Sequence, residues 1–185
     1  MQEIEVKLPV GDADDARARL GRAGAVARTP RQFEDNRLYD DASRTLKGRR
    51  EVLRLRSVGD ANVVTFKKPL AVDYEDGRYK VRVEHETTVG NAAEMDEVFR
   101  GLGLRPVWRY QKFRQSYVLG EVHVELDETP IGVYIELEGA PDAIDAAAGA
   151  LGFGPDDYVT KTYRQLHEEH AGHADPGDLV FPPPA

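Results

Sequence analysis

A strict alternation of charged and apolar residues, repeated in segment after segment, restricts what this chain can fold into more than any other feature. In residues 3–8, Glu3, Glu5 and Lys7 share one face of an extended segment while Ile4, Val6 and Leu8 share the other. Arg54 and Arg56 stand opposite Leu53 and Leu55, and Lys67 stands opposite Val64 and Phe66. From Tyr79 to Glu86 the same pattern sets Lys80, Arg82, Glu84 and Glu86 against Val81, Val83 and His85. Lys112 and Arg114 flank Phe113, Glu125 and Asp127 alternate with Val124 and Leu126, and Glu136 and Glu138 alternate with Ile135 and Leu137. So many period-2 runs, joined by short polar turns such as 58–62, imply antiparallel strands.

Helices interrupt the strands. Residues 12–24 open on Asp12 as an N-cap, and 91–103 open on Asn91 with Glu94 in the position of a capping box. A third helix is expected over about 142–151 after Pro141, and a fourth over about 156–169. The chain then turns to Gly, Asp and Pro, and a poorly ordered tail is expected over 169–185.

A chain of 185 residues with 41% hydrophobic content can build one sizeable core and is short for two large domains. Its net charge of −8 argues against general nucleic-acid binding, which draws its affinity from Lys and Arg on phosphates. With no cysteine, any metal has to sit on oxygen or imidazole, which suits hard cations such as Mg²⁺ or Mn²⁺. The chain shows no basic-then-apolar leader and no apolar run long enough to span a membrane, so a cytoplasmic location and no membrane partner are the expectations.

Alternation by itself leaves two architectures open. The polar faces carry eight bases (Lys7, Arg54, Arg56, Lys67, Lys80, Arg82, Lys112, Arg114) and eight acids (Glu3, Glu5, Glu84, Glu86, Glu125, Asp127, Glu136, Glu138). One architecture is an open sheet with its charged face in water. The other closes the sheet around that face, and unpaired charge inside then costs several kcal/mol per ion. A polyanion on the bases, bridged by divalent cations to the acids, would explain both sets at once. Arg54, Arg56 and Lys67 are spaced like Glu125, Asp127 and Glu138, a shift of 71 positions that Tyr39 and Tyr110 share, which suggests two related halves.

The motifs, taken in order, resemble the CYTH family, also called triphosphate tunnel metalloenzymes. Glu3-Ile4-Glu5-Val6-Lys7 is similar to its opening ExExK signature. Leu53-Arg54-Leu55-Arg56, Thr65-Phe66-Lys67, Arg82-Val83-Glu84-His85-Glu86, Lys112-Phe113-Arg114, Leu126-Asp127-Glu128 and Ile135-Glu136-Leu137-Glu138 follow as its later motifs do, and the resemblance covers residues 1–168. It implies an α+β fold: a closed eight-stranded antiparallel β-barrel forming a tunnel, with helices packed outside. It implies that Lys7, Arg54, Arg56, Lys67, Arg82, Lys112 and Arg114 hold phosphate oxygens, with Lys161 a further member. Glu3, Glu5, Glu136 and Glu138 would hold Mg²⁺ or Mn²⁺, and Glu84, Glu86, Glu125 and Asp127 would complete the metal positions or orient the attacking group. Lys7, Glu125 and Asp127 are the candidates for a catalytic part.

The implied partner is a small-molecule triphosphate: inorganic triphosphate, thiamine triphosphate or a nucleoside triphosphate. A homodimer is compatible with the sequence. Attack by water makes such a protein a phosphohydrolase, the favoured reading. Attack by a ribose hydroxyl on the α-phosphorus makes it a class IV-type adenylate cyclase, and a non-catalytic polyphosphate- or nucleotide-binding module is a third reading. His167, His170 and His173 form an HxxHxxH run that does not fit HExxH and reads as a solvated helix end. His85 reads as a packed histidine, His123 shares a face with Glu125, and Lys47-Gly48-Arg49-Arg50 reads as a solvated turn or a basic collar.

Overall fold

A computed structural model of the chain describes residues 2–70 and 77–183. The strands are β1 (Gln2–Val10), β2 (Val26–Ala27), β3 (Gln32–Asp40), β4 (Val52–Val58), β5 (Ala61–Pro69), β6 (Lys80–Val89), β7 (Arg105–Leu119), β8 (Val122–Thr129) and β9 (Gly132–Glu138). Eight of them close in the order β7-β3-β4-β5-β6-β1-β9-β8, with β8 pairing back onto β7, and short β2 adds to the edge of β7. Every pairing is antiparallel. The expected α+β barrel is present.

The helices are α1 (Ala13–Ala23), α2 (Thr45–Gly48), α3 (Ala92–Gly101), α4 (Pro141–Ala150) and α5 (Tyr163–Ala171). Asp12 caps α1 by accepting from the amides of Asp14 and Asp15, and Asn91 caps α3 in the same way. Gly24 ends α1 at φ 79°, a left-handed turn for which glycine carries no Cβ penalty. The main apolar core lies outside the barrel wall, where Val6, Leu8, Val124, Leu126, Ile135 and Leu137 meet Ala16 and Leu20 of α1 and Ile144 and Ala148 of α4. Each of these strand residues alternates with a charged neighbour, so burying the apolar face turns the charges inward.

The suspected duplication is partly visible. β4–β5 and β8–β9 pair in registers that coincide when shifted by 71 positions, since Arg56↔Val63 becomes Asp127↔Tyr134. Exchanging β1, β3, β4 and β5 for β6, β7, β8 and β9 leaves the cyclic strand order unchanged. Tyr39 and Tyr110 have different surroundings, since Tyr39 packs on Phe99 of α3 and donates to Asp96 whereas Tyr110 accepts from Arg54.

Three expectations are corrected. The fourth helix is broken: a 3₁₀ turn (Pro155–Asp157) precedes Val159, which exchanges two backbone hydrogen bonds of 2.9 Å with Lys7, and α5 starts only at Tyr163. The tail docks instead of trailing. Leu179 bonds the backbone of Arg109 and Gln111 and is buried with Trp108, Tyr110 and Tyr163, while the Trp108 indole donates to the Gly177 carbonyl at 2.8 Å. Pro184 and Ala185 lie outside the described residues. His85 is exposed, not packed.

Candidate active site

A cavity of about 1040 Å³ runs inside the barrel. Fifteen of the sixteen charged residues on the alternating faces line it, Asp127 being the exception. The charges alternate in space as well as in sequence. Lys7 Nζ lies 3.2 Å from Glu5 and 3.1 Å from Glu136. Lys67 Nζ lies 2.7 Å from Glu3 and 2.9 Å from Glu84, and Lys80 bonds Glu5. On the opposite wall Arg56 reaches Glu34 at 3.3 Å and Asn36 at 3.2 Å, while Arg54 donates to Thr65 at 2.9 Å and to the Tyr110 hydroxyl at 3.2 Å. Arg114 spans Asp127 and Glu136.

The protonation states follow from this interleaving. Burial alone would raise Glu5 and Glu136; Lys7 with Lys80 for the first, and Lys7 with Arg114 for the second, more than offset it and hold both well below the usual carboxylate range. Lys7 is raised despite its burial by Glu136 and Glu5, so it stays charged. Glu3 goes the other way, pushed up to about 7 by burial and by the neighbouring Glu5 against the pull of Lys67. Burial also raises Glu138. His123 Nε2 lies 2.6 Å from Glu125 at the tunnel wall, and this contact raises the imidazole.

Two candidates stand elsewhere than expected. Asp127 faces inward but is fully buried beneath the lining side chains, where it accepts from Lys112 at 2.8 Å, twice from Arg114 at 2.6 Å, and from the Tyr163 hydroxyl at 2.7 Å. Four donors on two oxygens leave it little capacity for a ligand in this arrangement. Lys161 does not line the tunnel; half exposed, it pairs with Glu169 of α5 at 2.7 Å, because Val159 rather than a continuous helix sets its direction.

The sequence reading missed Glu34, Asn36, Thr65, Tyr110 and Tyr163. Glu34 and Asn36 are buried, and the atoms Glu34 Oε2, Asn36 Nδ2 and Arg54 Nε have no hydrogen-bond partner among the described residues. Tyr163 lies between two lysines, with Lys7 Nζ and Lys112 Nζ each 5.3 Å from its ring centre. Trp108 and Tyr110 stack on each other at 5.0 Å, so each covers one face of the other.

The donor set fits a hard divalent cation. It is all oxygen, and Glu5 pairs directly with Glu138 across β1–β9 while Glu136 faces Lys7 one step along. Burial and neighbouring carboxylates strain the ionised forms of Glu3 and Glu138, a strain that a cation relieves. Among the described residues no three acids or histidines converge on one point as they stand. Lys7, Lys67 and Lys80 occupy the positions between them.

Comparison with known proteins agrees with this geometry. Residues 1–163 match the CYTH domain. A Methanocaldococcus jannaschii protein whose name proposes an adenylate cyclase is 24% identical over 177 residues, 90% of this chain and 98% of that protein. A solved Vibrio parahaemolyticus structure, also of a proposed adenylate cyclase, has a TM-score of 0.76 at 18% identity, covering 90% of this chain and 97% of that one. A Hippeastrum protein, described as a proposed adenylyl cyclase with a dominant triphosphatase activity, has a TM-score of 0.63 at 16% identity, covering 94% and 98%. At such identities the solved structures speak for the fold, while the domain match spans nearly the whole barrel. The closed barrel, its inward charges and that match together make the chain a member of the CYTH domain family.

Proposed function

We propose that the protein is a divalent-metal-dependent triphosphatase acting on inorganic triphosphate or an organic triphosphate. The observation that carries this reading is the tunnel itself, with bases enough to neutralise a polyanion and buried carboxylates interleaved among them. Lys7, Arg54, Arg56, Lys67 and Arg114 would take phosphate oxygens, and Arg82 and Lys112 would add charge beside them. Glu3, Glu5, Glu136 and Glu138 would hold Mg²⁺ or Mn²⁺, which polarises a phosphoryl oxygen and activates water when bound. Glu84, Glu86 and Glu125 stand on the same lining and could complete the set.

The chain's own contribution is positional. The lysines now bonded to acids exchange those partners for phosphate, which frees the acids for the cation, so anion and metal favour each other's binding. Asp127, itself bonded by the Tyr163 hydroxyl, holds Lys112 and Arg114 in place. Preorganised charge of this kind supplies most of the rate in phosphoryl transfer.

Adenylate cyclase is the second reading, suggested by the names of the relatives. The aromatic residues favour hydrolysis, since Trp108, Tyr110 and Tyr163 are buried and packed on one another, which limits the ring surface a purine could stack on. Phosphorus NMR of products from tripolyphosphate, thiamine triphosphate and ATP, with Mg²⁺ or Mn²⁺, separates the readings. Orthophosphate release supports the triphosphatase; cyclic AMP with pyrophosphate would replace it with the cyclase; binding without turnover would leave a binding module.

A further inference from the structure

β8 covers only part of β7. The two pair over Phe113–Leu119, and the stretch of β7 before Phe113 has no β8 partner. The C-terminal tail takes that open edge. The Leu179 amide donates to the Arg109 carbonyl at 3.0 Å, the Gln111 amide donates to the Leu179 carbonyl at 2.8 Å, and the Asp178 carboxylate accepts from the Arg109 amide at 2.8 Å. Farther back the tail is tied to α5, where Arg164 donates to Asp175 at 2.5 Å. This tail lies beyond the residues that match the domain.

The side chain that the tail brings in sits beneath the charged lining. Leu179, 2% exposed, is buried in one cluster with Trp108, Tyr110 and Tyr163; those three rings line the cavity and Leu179 does not. Each tyrosine hydroxyl reaches a charge of the tunnel. Tyr110 accepts from Arg54 at 3.2 Å. Tyr163 donates to Asp127 at 2.7 Å, and Asp127 in turn accepts from Lys112 at 2.8 Å and from Arg114 at 2.6 Å. The rings are set by packing: Trp108 stacks on Tyr110 at 5.0 Å with its indole held by the Gly177 carbonyl at 2.8 Å, and Tyr110 meets Tyr163 at 6.3 Å. A void in place of Leu179 lets these rings shift, and a shifted hydroxyl carries its charged partner with it. Charge-assisted hydrogen bonds to a polyanion depend on distance and direction, so such a shift weakens capture.

Building on the reading of the tunnel as a triphosphate site, we propose that the docked tail belongs to that site: Leu179 is a positioning residue that, through Tyr110 and Tyr163, holds Arg54, Lys112 and Arg114 where phosphate meets them. The form with the tail docked then binds a polyanion more tightly than the form with the tail released. By reciprocity, a bound polyanion holds the tail down.

The test is calorimetric titration of the full chain with tripolyphosphate in EDTA, so that nothing is cleaved. Leu179→Ala should weaken binding on the order of tenfold, and Leu179→Met, which refills the space, should restore it to within about twofold. Leu20→Ala, in the outer core, also costs stability but should leave affinity within about twofold. Hydrogen exchange of the wild type gives the reciprocal reading and needs no variant. The Gln111 and Leu179 amides open when the tail leaves, and they should exchange on the order of tenfold more slowly with saturating tripolyphosphate. Unchanged affinity in L179A, an equal loss in L20A, or exchange indifferent to tripolyphosphate would each overturn the proposal. Failure of the tunnel reading looks different: the wild type then binds no tripolyphosphate, which overturns both, whereas tight binding indifferent to Leu179 leaves the tunnel reading standing.

Discussion

Substituting Glu136→Gln removes one negative charge from the point where Lys7 and Arg114 meet. Lys7 keeps Glu5 at 3.2 Å and Arg114 keeps both oxygens of Asp127, so neither cation is orphaned. Breaking an isolated buried pair costs about 3–5 kcal/mol. With second carboxylates in place and an amide oxygen still able to accept, the ligand-free protein should lose about 1–2 kcal/mol. For a domain of this size that lowers Tm by about 2–8 °C.

Binding should move in the opposite direction. Phosphate no longer has to displace Glu136 from the two cations, and one charge-assisted hydrogen bond is worth about 1.5–3 kcal/mol. Metal-free tripolyphosphate should therefore bind on the order of ten- to a hundredfold more tightly. Turnover with Mg²⁺ or Mn²⁺ should fall by about a hundredfold or more, because an anionic metal ligand is replaced by a neutral amide. A thermal melt, titration in EDTA and orthophosphate release read the three quantities. Weaker metal-free binding together with undiminished turnover would refute the reasoning that Glu136 competes with phosphate for the same cations.

Arg56→Ala should raise KM for the triphosphate by about tenfold or more, since its guanidinium lines the tunnel, where it bonds Glu34 and Asn36; an unchanged KM in steady-state kinetics removes it from the site. Glu34 is pulled down to about 2 from an ordinary 4.5, where burial opposes the shift and Lys112, Arg114 and Arg56 together outweigh it. A depressed carboxylate contributes stability above the unfolded value that is lost as pH falls, here between about 4.5 and 2, and amounts to about 3 kcal/mol. Acid unfolding of Glu34→Gln should accordingly be flatter than that of the wild type through this window; superimposable curves would count against it. Leu179→Ala should lower stability by about 2–4 kcal/mol in a denaturant titration, whereas an unaffected midpoint would mean that the tail is not docked.

The barrel was legible because inward charges alternate with mostly apolar outward residues on β1, β4, β6, β8 and β9, and a period of 2 fixes which residues share a face. β3 escaped for the corresponding reason. Its inward residues Glu34 and Asn36 alternate with Asp35 and Arg37, so both faces are polar and no period stands out. The only available signal was that a closed barrel needs an eighth strand between α1 and β4. Lys161 was misplaced because helical composition over 156–169 gives no warning that Val159 pairs with Lys7, a contact between residues far apart in the chain. The tail misled through its Gly and Pro content: two apolar anchors, Leu179 and Phe181, are enough to seat it on the stacked aromatic residues of β7.

The position of β1 between β6 and β9 also governs how the protein can be made. β1 is synthesised before the strands it pairs with, so Glu3 and Glu5 meet Arg82 and Lys80 only when β6 has been made, and Lys7 meets Glu136 only when β9 has. Loop closure over such a span is slow compared with hairpin formation, so β4–β5 and β8–β9 should form locally first. A nascent chain halted before β9 holds most of the tunnel's charges with no closed tunnel around them. The charged cavity therefore arises in one late step, when the last strand shuts the ring.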